Sequence, residues 1–176
     1  MPASYFASQL VRRVTRVCAA AALAATMAGC GFHLRGEASY PFDTMYLNSA
    51  PTLAITTDLR RALEAAGSAK LMPAAKEAQV VVDVNSVEDD KRILSLSSGG
   101  KVFEYLLTKR VLFRVHDAEG NDWLPTSEVI VRRTYTYSDT EALAKEYEEQ
   151  RLWRDMQADA IQQIVRRMQS SKKPVA

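Results

Sequence analysis

The sequence predicts an α+β fold: a two-layer sandwich in which a four-stranded, mostly antiparallel sheet carries two helices on one face. Three observations predict it. Residues 102–115 alternate apolar and polar side chains with a period of two. Two other segments place apolar residues at helical spacing, and the elements follow in the order strand, helix, three strands, helix. Two helices with one apolar stripe each need a sheet face to cover, which leaves the opposite sheet face polar, either free or docked on a partner.

The first strand is predicted over Phe42–Asn48, which holds Phe42, Met45, Tyr46 and Leu47. Asn48-Ser49-Ala50-Pro51 then turns into a helix over Leu53–Ala66, where Ile55, Leu59, Ala62, Leu63 and Ala66 share a face and Gly67 is the stop. Lys70–Glu77, with Pro73, reads as a surface connection. A β-branched segment opens at Val80-Val81-Val82-Asp83-Val84 and extends to Leu96, with Asp89-Asp90-Lys91 marking a bulge or an exposed edge. Ser97-Ser98-Gly99-Gly100 supplies the hairpin turn, because glycine tolerates the positive φ that tight hairpins need. In the next strand Phe103, Tyr105, Leu107, Val111, Phe113 and Val115 alternate with Glu104, Thr108, Arg110, Arg114 and His116. Lys109 interrupts the apolar face, and Leu106 and Leu112 the polar one. After a turn at 117–122, Val129, Val131, Tyr135 and Tyr137 alternate with Ile130, Arg132, Thr134 and Thr136. Ser138-Asp139-Thr140 offers a cap for a long helix over Glu141–Ser170. Its stripe is Leu143, Tyr147, Trp153, Met156, Ala160, Ile161, Ile164 and Met168.

A different kind of segment precedes this domain. Arg12, Arg13 and Arg16 stand without an acid, the apolar run Val17–Met27 follows, and Ala28-Gly29-Cys30 closes it. That is the basic, apolar and small-residue order of a secretory signal. The apolar run is shorter than the roughly 20 residues of a membrane-spanning helix. The small-small-Cys ending resembles the lipobox of bacterial lipoproteins, which implies Cys30 as the processed N-terminus with acyl chains on its sulfur and amine. The expected organisation is a signal at 1–29, an acylated tether at 30–41, the α+β domain at 42–170 and a tail at 171–176. Gly31 follows the cysteine where inner-membrane lipoproteins commonly have aspartate, so outer-membrane sorting is expected.

Composition narrows the function. The signal holds three of the 23 basic residues and none of the 21 acidic ones, so the remainder carries 20 against 21. A near-neutral domain lacks the basic footprint of a nucleic-acid binder. Of the two cysteines, Cys18 lies in the signal and Cys30 at the anchor, which leaves no disulfide. Only His33 and His116 are present, without a second His or Cys at ligand spacing, so no metal site is expected. No nucleophile elbow, phosphate loop or dinucleotide fingerprint occurs, and no cofactor is implied. The paired carboxylates Asp89-Asp90 and Glu148-Glu149 read as solvated charge. The chain reads as a non-enzyme. Trp123, in the predicted turn 122–125, stands either as part of a partner surface or as a cap over the core edge. Lys101, Arg110, Arg114 and Arg132 form a basic strip if the central strands pair as a hairpin, either as an anion surface or as ordinary balanced charge.

Cys30-Gly31-Phe32-His33-Leu34-Arg35-Gly36 resembles the segment after the lipobox in the LPS-assembly lipoprotein LptE (RlpB) family. Glu104-Tyr105 after a Gly-rich turn, and Ala142-Leu143-Ala144-Lys145-Glu146 entering the last helix, are similar to the same family. The resemblance covers Cys30 to about Met168. It implies an outer-membrane lipoprotein that plugs the LptD β-barrel and helps insert lipopolysaccharide into the outer leaflet. It also implies a four-stranded sheet with two helices. In that family a basic residue of the hairpin turn and the lysine that is here Lys145 contact lipopolysaccharide. At the first position the chain departs from the pattern: Ser98 stands there, and Lys101 is the nearest cation. Ser98 and Trp123 are the expected partner contacts. A lipoprotein that scaffolds a protein partner without binding glycolipid is the alternative.

Overall fold

In the computed structural model, which describes residues 39–174, the chain forms five strands and two α-helices. They run β1 (Thr44–Asn48), α1 (Ala54–Ala65), β2 (Lys70–Leu71), β3 (Val80–Leu96), β4 (Val102–His116), β5 (Asp122–Thr136) and α2 (Ala142–Gln169). Cys30, the predicted signal and most of the predicted tether lie outside the described residues. No helix among the described residues is long and apolar enough to cross a membrane.

The sheet order is β2-β1-β3-β4-β5. β3, β4 and β5 form the expected antiparallel meander, while β1 pairs parallel with both β2 and β3. The parallel pairing follows from α1, because a chain that crosses a sheet on a helix returns in its starting direction. The fold class stands, with one strand more than expected. β2 has two residues and shows no periodicity, and it joins the edge through Lys70 N–H to Asp43 O (2.8 Å) and Met72 N–H to Met45 O (2.7 Å). Val80–Leu96 is continuous, with register shifts between Val84 and Ser86 and again near Ser95.

Both helices bury their stripes in one core. Ile55, Leu59 and Leu63 of α1 and Met156, Ala160, Ile164 and Met168 of α2 are inaccessible, together with Met45, Val80, Val82, Val111, Phe113, Val115 and Val129. Asp58 Oδ2 accepts a hydrogen bond from Gln157 Nε2 (2.6 Å), which ties the helices to each other. Gly67 ends α1 with φ +77°, the left-handed conformation of a helix terminator. The expected N-terminal cap of α2 is absent. Ser138 Oγ bonds Thr140 Oγ1 instead, and a 3-10 turn at Asp139–Glu141 leads into the helix.

Three expectations change. Tyr40, assigned to the tether, is in the core at 5% exposure and stacks on Phe42 at 5.3 Å between centroids. Trp123 is also 5% exposed: it opens β5 and meets the edge of Phe42 at 5.7 Å, so it caps the core edge and is not an exposed partner contact. Leu143 and Tyr147 point away from the sheet, at 66% and 65% exposure, although the stripe places them inward. Ile161 and Val165, five full turns on at the same angular positions, are buried, so the difference is one of cover: the start of α2 meets the sheet through Lys145, Glu149 and Trp153 instead.

Candidate functional site

β3 and β4 are long. At about 3.3 Å per residue, fifteen residues of β4 span roughly 50 Å. The aliphatic core fills only the end near β1 and α1. Toward the hairpin turn, the start of α2 covers the sheet, and none of its residues before Met156 is buried. Here the sheet and helix are joined by polar groups.

Glu149 is the centre of this junction. Its Oε2 accepts hydrogen bonds from Lys91 Nζ (2.5 Å) and Tyr135 OH (2.5 Å), and its Oε1 accepts one from Trp153 Nε1 (3.3 Å). Burial alone raises a carboxyl, but these donors outweigh it and hold Glu149 below its ordinary value. Burial likewise opposes the charge on Lys91, and the bonds to Glu149 and Tyr135 outweigh it, so Lys91 titrates above its ordinary value. Burial, then the bond to the anionic Glu149, pushes the Tyr135 phenol up to about 12. Lys91 also lies 4.2 Å over the Tyr105 ring, which stacks on Tyr135 at 5.6 Å. Beneath them Lys109, the residue that interrupts the apolar face, is only 3% exposed. It bonds Asp89 Oδ1 at 2.6 Å and lies 5.6 Å from the Trp153 ring centre. In the sequence Lys109 reads as an interruption, and Glu149 and Asp89 read as solvated charge. The alternation of β4 was the available signal, since a lysine in an inward register requires a carboxylate from an adjacent strand.

Around this junction stand two of the predicted cations. Lys101, beside the hairpin turn, pairs with Asp139 Oδ2 at 3.0 Å, and its side chain is largely exposed. Lys145 folds back from the first turn of α2. Its Nζ is 2.9 Å from Glu148 Oε2 and 3.3 Å from Thr136 Oγ1, and little of its side chain is accessible. Ser98 is exposed in the hairpin turn, as expected.

Arg110, Arg114 and Arg132 lie elsewhere, on the open face of the sheet. The register sets Thr108 beside Arg132 and Arg110 beside Glu88, while Leu107, Lys109 and Val111 face the helices. A shallow hollow between Glu88, Asp90, Arg92, Thr108, Arg110 and Arg132 marks this face. The strip is largely compensated. Arg110 approaches Glu88 (3.3 Å) and Glu128 (2.6 Å), and Arg114 bonds Asp122 (2.5 Å) and Gly120 O (2.9 Å). Arg132 makes no ion pair among the described residues. Lys101 is therefore separate from the strip, at the turn with Lys145.

Known proteins share this fold. The model of the LptE family, described as lipopolysaccharide-assembly, matches residues 42–168, which is most of the described domain. The chain belongs to the LptE family. The LPS-assembly lipoprotein LptE of Pectobacterium atrosepticum is 31% identical over 144 residues, covering 80% of this chain and 77% of its own. The solution structure of an uncharacterized lipoprotein B from Nitrosomonas europaea shares 36% identity with a TM-score of 0.68, covering 77% of this chain and 88% of its own. The crystal structure of the rare lipoprotein B from Shewanella oneidensis shares 27% identity with a TM-score of 0.64, over 73% of this chain and 95% of its own. Membership in the LptE family makes this an LPS-assembly lipoprotein of the cell envelope, a non-enzymatic role.

Proposed function

We propose that the protein is an outer-membrane lipoprotein, anchored by acyl chains on Cys30, that plugs and assists the LptD β-barrel and binds lipopolysaccharide directly at the hairpin end of its domain. The observation that carries the binding part is the convergence of Lys101 and Lys145 on that end, from elements separated by more than forty residues of chain. Their partners, Asp139 and Glu148, have side chains 58% and 45% exposed. The Lys101–Asp139 pair is exposed on both sides and is worth about 0–1 kcal/mol, so a phosphate can replace that carboxylate at little cost, whereas Lys145, with a side chain 16% exposed, must first leave Thr136. Arg110, Arg114 and Arg132 rank behind them, because they lie apart on the open face of the sheet, where Arg110 is shared between Glu88 and Glu128 and Arg114 is held by Asp122 and Gly120 O. The interspersed charge of the open face suits a polar barrel wall better than a single strongly anionic ligand.

Binding of lipopolysaccharide to the purified protein tests this reading. Lys145→Asp and Lys101→Asp each weaken it, the combined change weakens it further, and rising salt weakens the wild type. Binding indifferent to both changes and to salt removes the site. Membranes carrying a crosslinker at Ser98 yield an adduct with the barrel subunit. Adducts with other periplasmic proteins alone favour the scaffolding reading. Mass spectrometry of the N-terminal peptide checks the anchor, and an unmodified Cys30 rejects it.

A further inference from the structure

β5 is the last strand in the sheet order, so among the described residues no strand pairs with its outer side. Its 15 residues make a long edge, and an unpaired edge presents backbone donors and acceptors to any strand that meets it. The ladder with β4 fixes which groups these are. Tyr137 N–H donates to Phe103 O (2.8 Å), and one register holds from there to Phe113 beside Ser127. Bonded and non-bonded pairs alternate along an antiparallel ladder, so Val129, Val131, Arg133 and Tyr135 exchange their bonds with β4. Glu128, Ile130, Arg132 and Thr134 therefore turn their N–H and C=O groups outward. Two contacts agree with this phase: Arg167 donates to Glu128 O (2.8 Å) and Arg133 to Arg132 O (3.0 Å). Glu128, Arg132 and Thr134 are exposed and Ile130 is half-buried, all on the open face. Pro125, a residue that ends strand pairing, stands outside this segment.

We infer that a second copy of this chain adds to this edge, β5 against β5, antiparallel about a two-fold axis through Ile130. The pair is a state of the protein free of the barrel and does not rest on the lipopolysaccharide reading. Charge complementarity selects both the occupant and the register. With the axis at Ile130, Glu128 falls opposite Arg132 of the second copy, and Arg132 opposite its Glu128, on the open face. Ile130 meets its own copy between them, and Val129 meets Val131 on the helix side. An axis at Glu128 or at Arg132 sets like charges together, and one at Val129, Val131, Arg133 or Thr134 sets no opposite charges face to face. The charges involved also lack balance within one copy. Arg132 makes no ion pair among the described residues, and Glu128 shares the single cation Arg110 with Glu88. A second copy gives each its counter-charge. The Glu128 and Arg132 carbonyls have two lone pairs each, so the contacts from Arg167 and Arg133 and the new ladder coexist. The contact is the same on both copies and closes on itself, which removes the open edge from each.

The experiment uses the full-length protein, in its own membranes and purified without the barrel subunit, under mild oxidation. Each disulfide yield is read over that of the wild type, whose cysteines are Cys18 and Cys30. In a bonded antiparallel pair the Cα atoms are about 5.5 Å apart, within the span of a disulfide. Ile130→Cys is therefore expected to give a dimer of the chain. Arg132→Cys gives none, because its two copies lie about 14 Å apart in this register. Two charge reversals, each combined with Ile130→Cys and carried on differently tagged chains, test the register without depending on one variant. Glu128→Arg alone and Arg132→Glu alone each set like charges opposite and lower the dimer yield by about tenfold. Expressed together they restore it as a mixed dimer, since each reversed residue then faces an opposite charge. Equal yields at positions 130 and 132, or single reversals that dimerise as well as the mixture, overturn the pairing. Capture at Ile130→Cys of a different protein alone overturns the second copy in favour of a partner's strand.

Discussion

Phe113 and Phe103 stand on the same strand and the same face of the sheet, yet Phe113 is inaccessible and Phe103 is 49% exposed. The difference is what lies above them. At Phe113 the sheet is covered by the C-terminal half of α2 and by α1, whose side chains complete a closed aliphatic core. At Phe103 only the start of α2 is near, held by Glu149 and its three donors. One end of the molecule is thus stabilised by burial, and the other by a few directed bonds around charged groups. The second arrangement leaves apolar side chains and cations accessible, which is the condition for binding. Alternation in a strand specifies which face a residue occupies, and the depth of cover along that face is a separate variable.

The comparison breaks first at the phenylalanines. Phe113→Ala costs about 3–5 kcal/mol and lowers the thermal midpoint strongly, while Phe103→Ala stays within about 0.5 kcal/mol. Equal shifts in a denaturant titration would mean that cover does not differ along β4. The same contrast applies to α2. Ile164→Ala costs about 2–5 kcal/mol and Leu143→Ala almost nothing, despite one predicted stripe containing both.

The buried ion pair sharpens the contrast. Asp89→Ala leaves the Lys109 ammonium buried without a carboxylate and destabilises by up to about 3 kcal/mol, whereas Lys109→Met is nearly neutral because Asp89 is half exposed and solvates freely. If Lys109→Met proves the more costly change, the pair is stabilising in its own right and the hairpin end behaves as core.

Glu149→Gln is expected to act locally. Amide exchange quickens over residues 142–150 and stays slow over residues 156–168, where the apolar core holds the helix. Uniform acceleration along α2 would show that the two halves open together. The smallest effect is that of pH. The Glu149 carboxyl is lowered in the folded state, so its contribution is complete at neutral pH and is lost as pH falls through that lowered value. Tyr135 and Lys91 are raised, so theirs is complete below the ordinary phenol value near 10 and is lost as pH rises, for Tyr135 toward about 12. Exchange at the start of α2 should therefore quicken at both extremes before the rest of the domain responds, and the Glu149→Gln protein should lose the acid limb.

Much of this was legible in the chain. The hairpin at 97–100, the inward register of Val111, Phe113 and Val115, and the helices over 53–66 and 141–170 follow from side-chain period and turn chemistry, which are local properties. So do the opposite faces of Asp89 and Asp90, and the placement of Arg110, Arg114 and Arg132 on the polar side of the sheet. The two-residue β2 was not legible, because a pairing that short leaves no pattern. Tyr40 and Trp123 look like tether and loop residues in sequence, and only their mutual approach through Phe42 makes them core.

By itself the sequence determined the long strands and both helices, the two sides of the sheet and the family. Only the tertiary structure decided how far the helices cover the sheet. It thereby decided which inward residues become core, which charges meet inside, and which apolar groups stay free around Lys101 and Lys145. Period and propensity act over neighbouring residues, whereas cover and ion pairing depend on distances between segments far apart in the chain, such as Lys91 and Glu149 or Lys101 and Asp139.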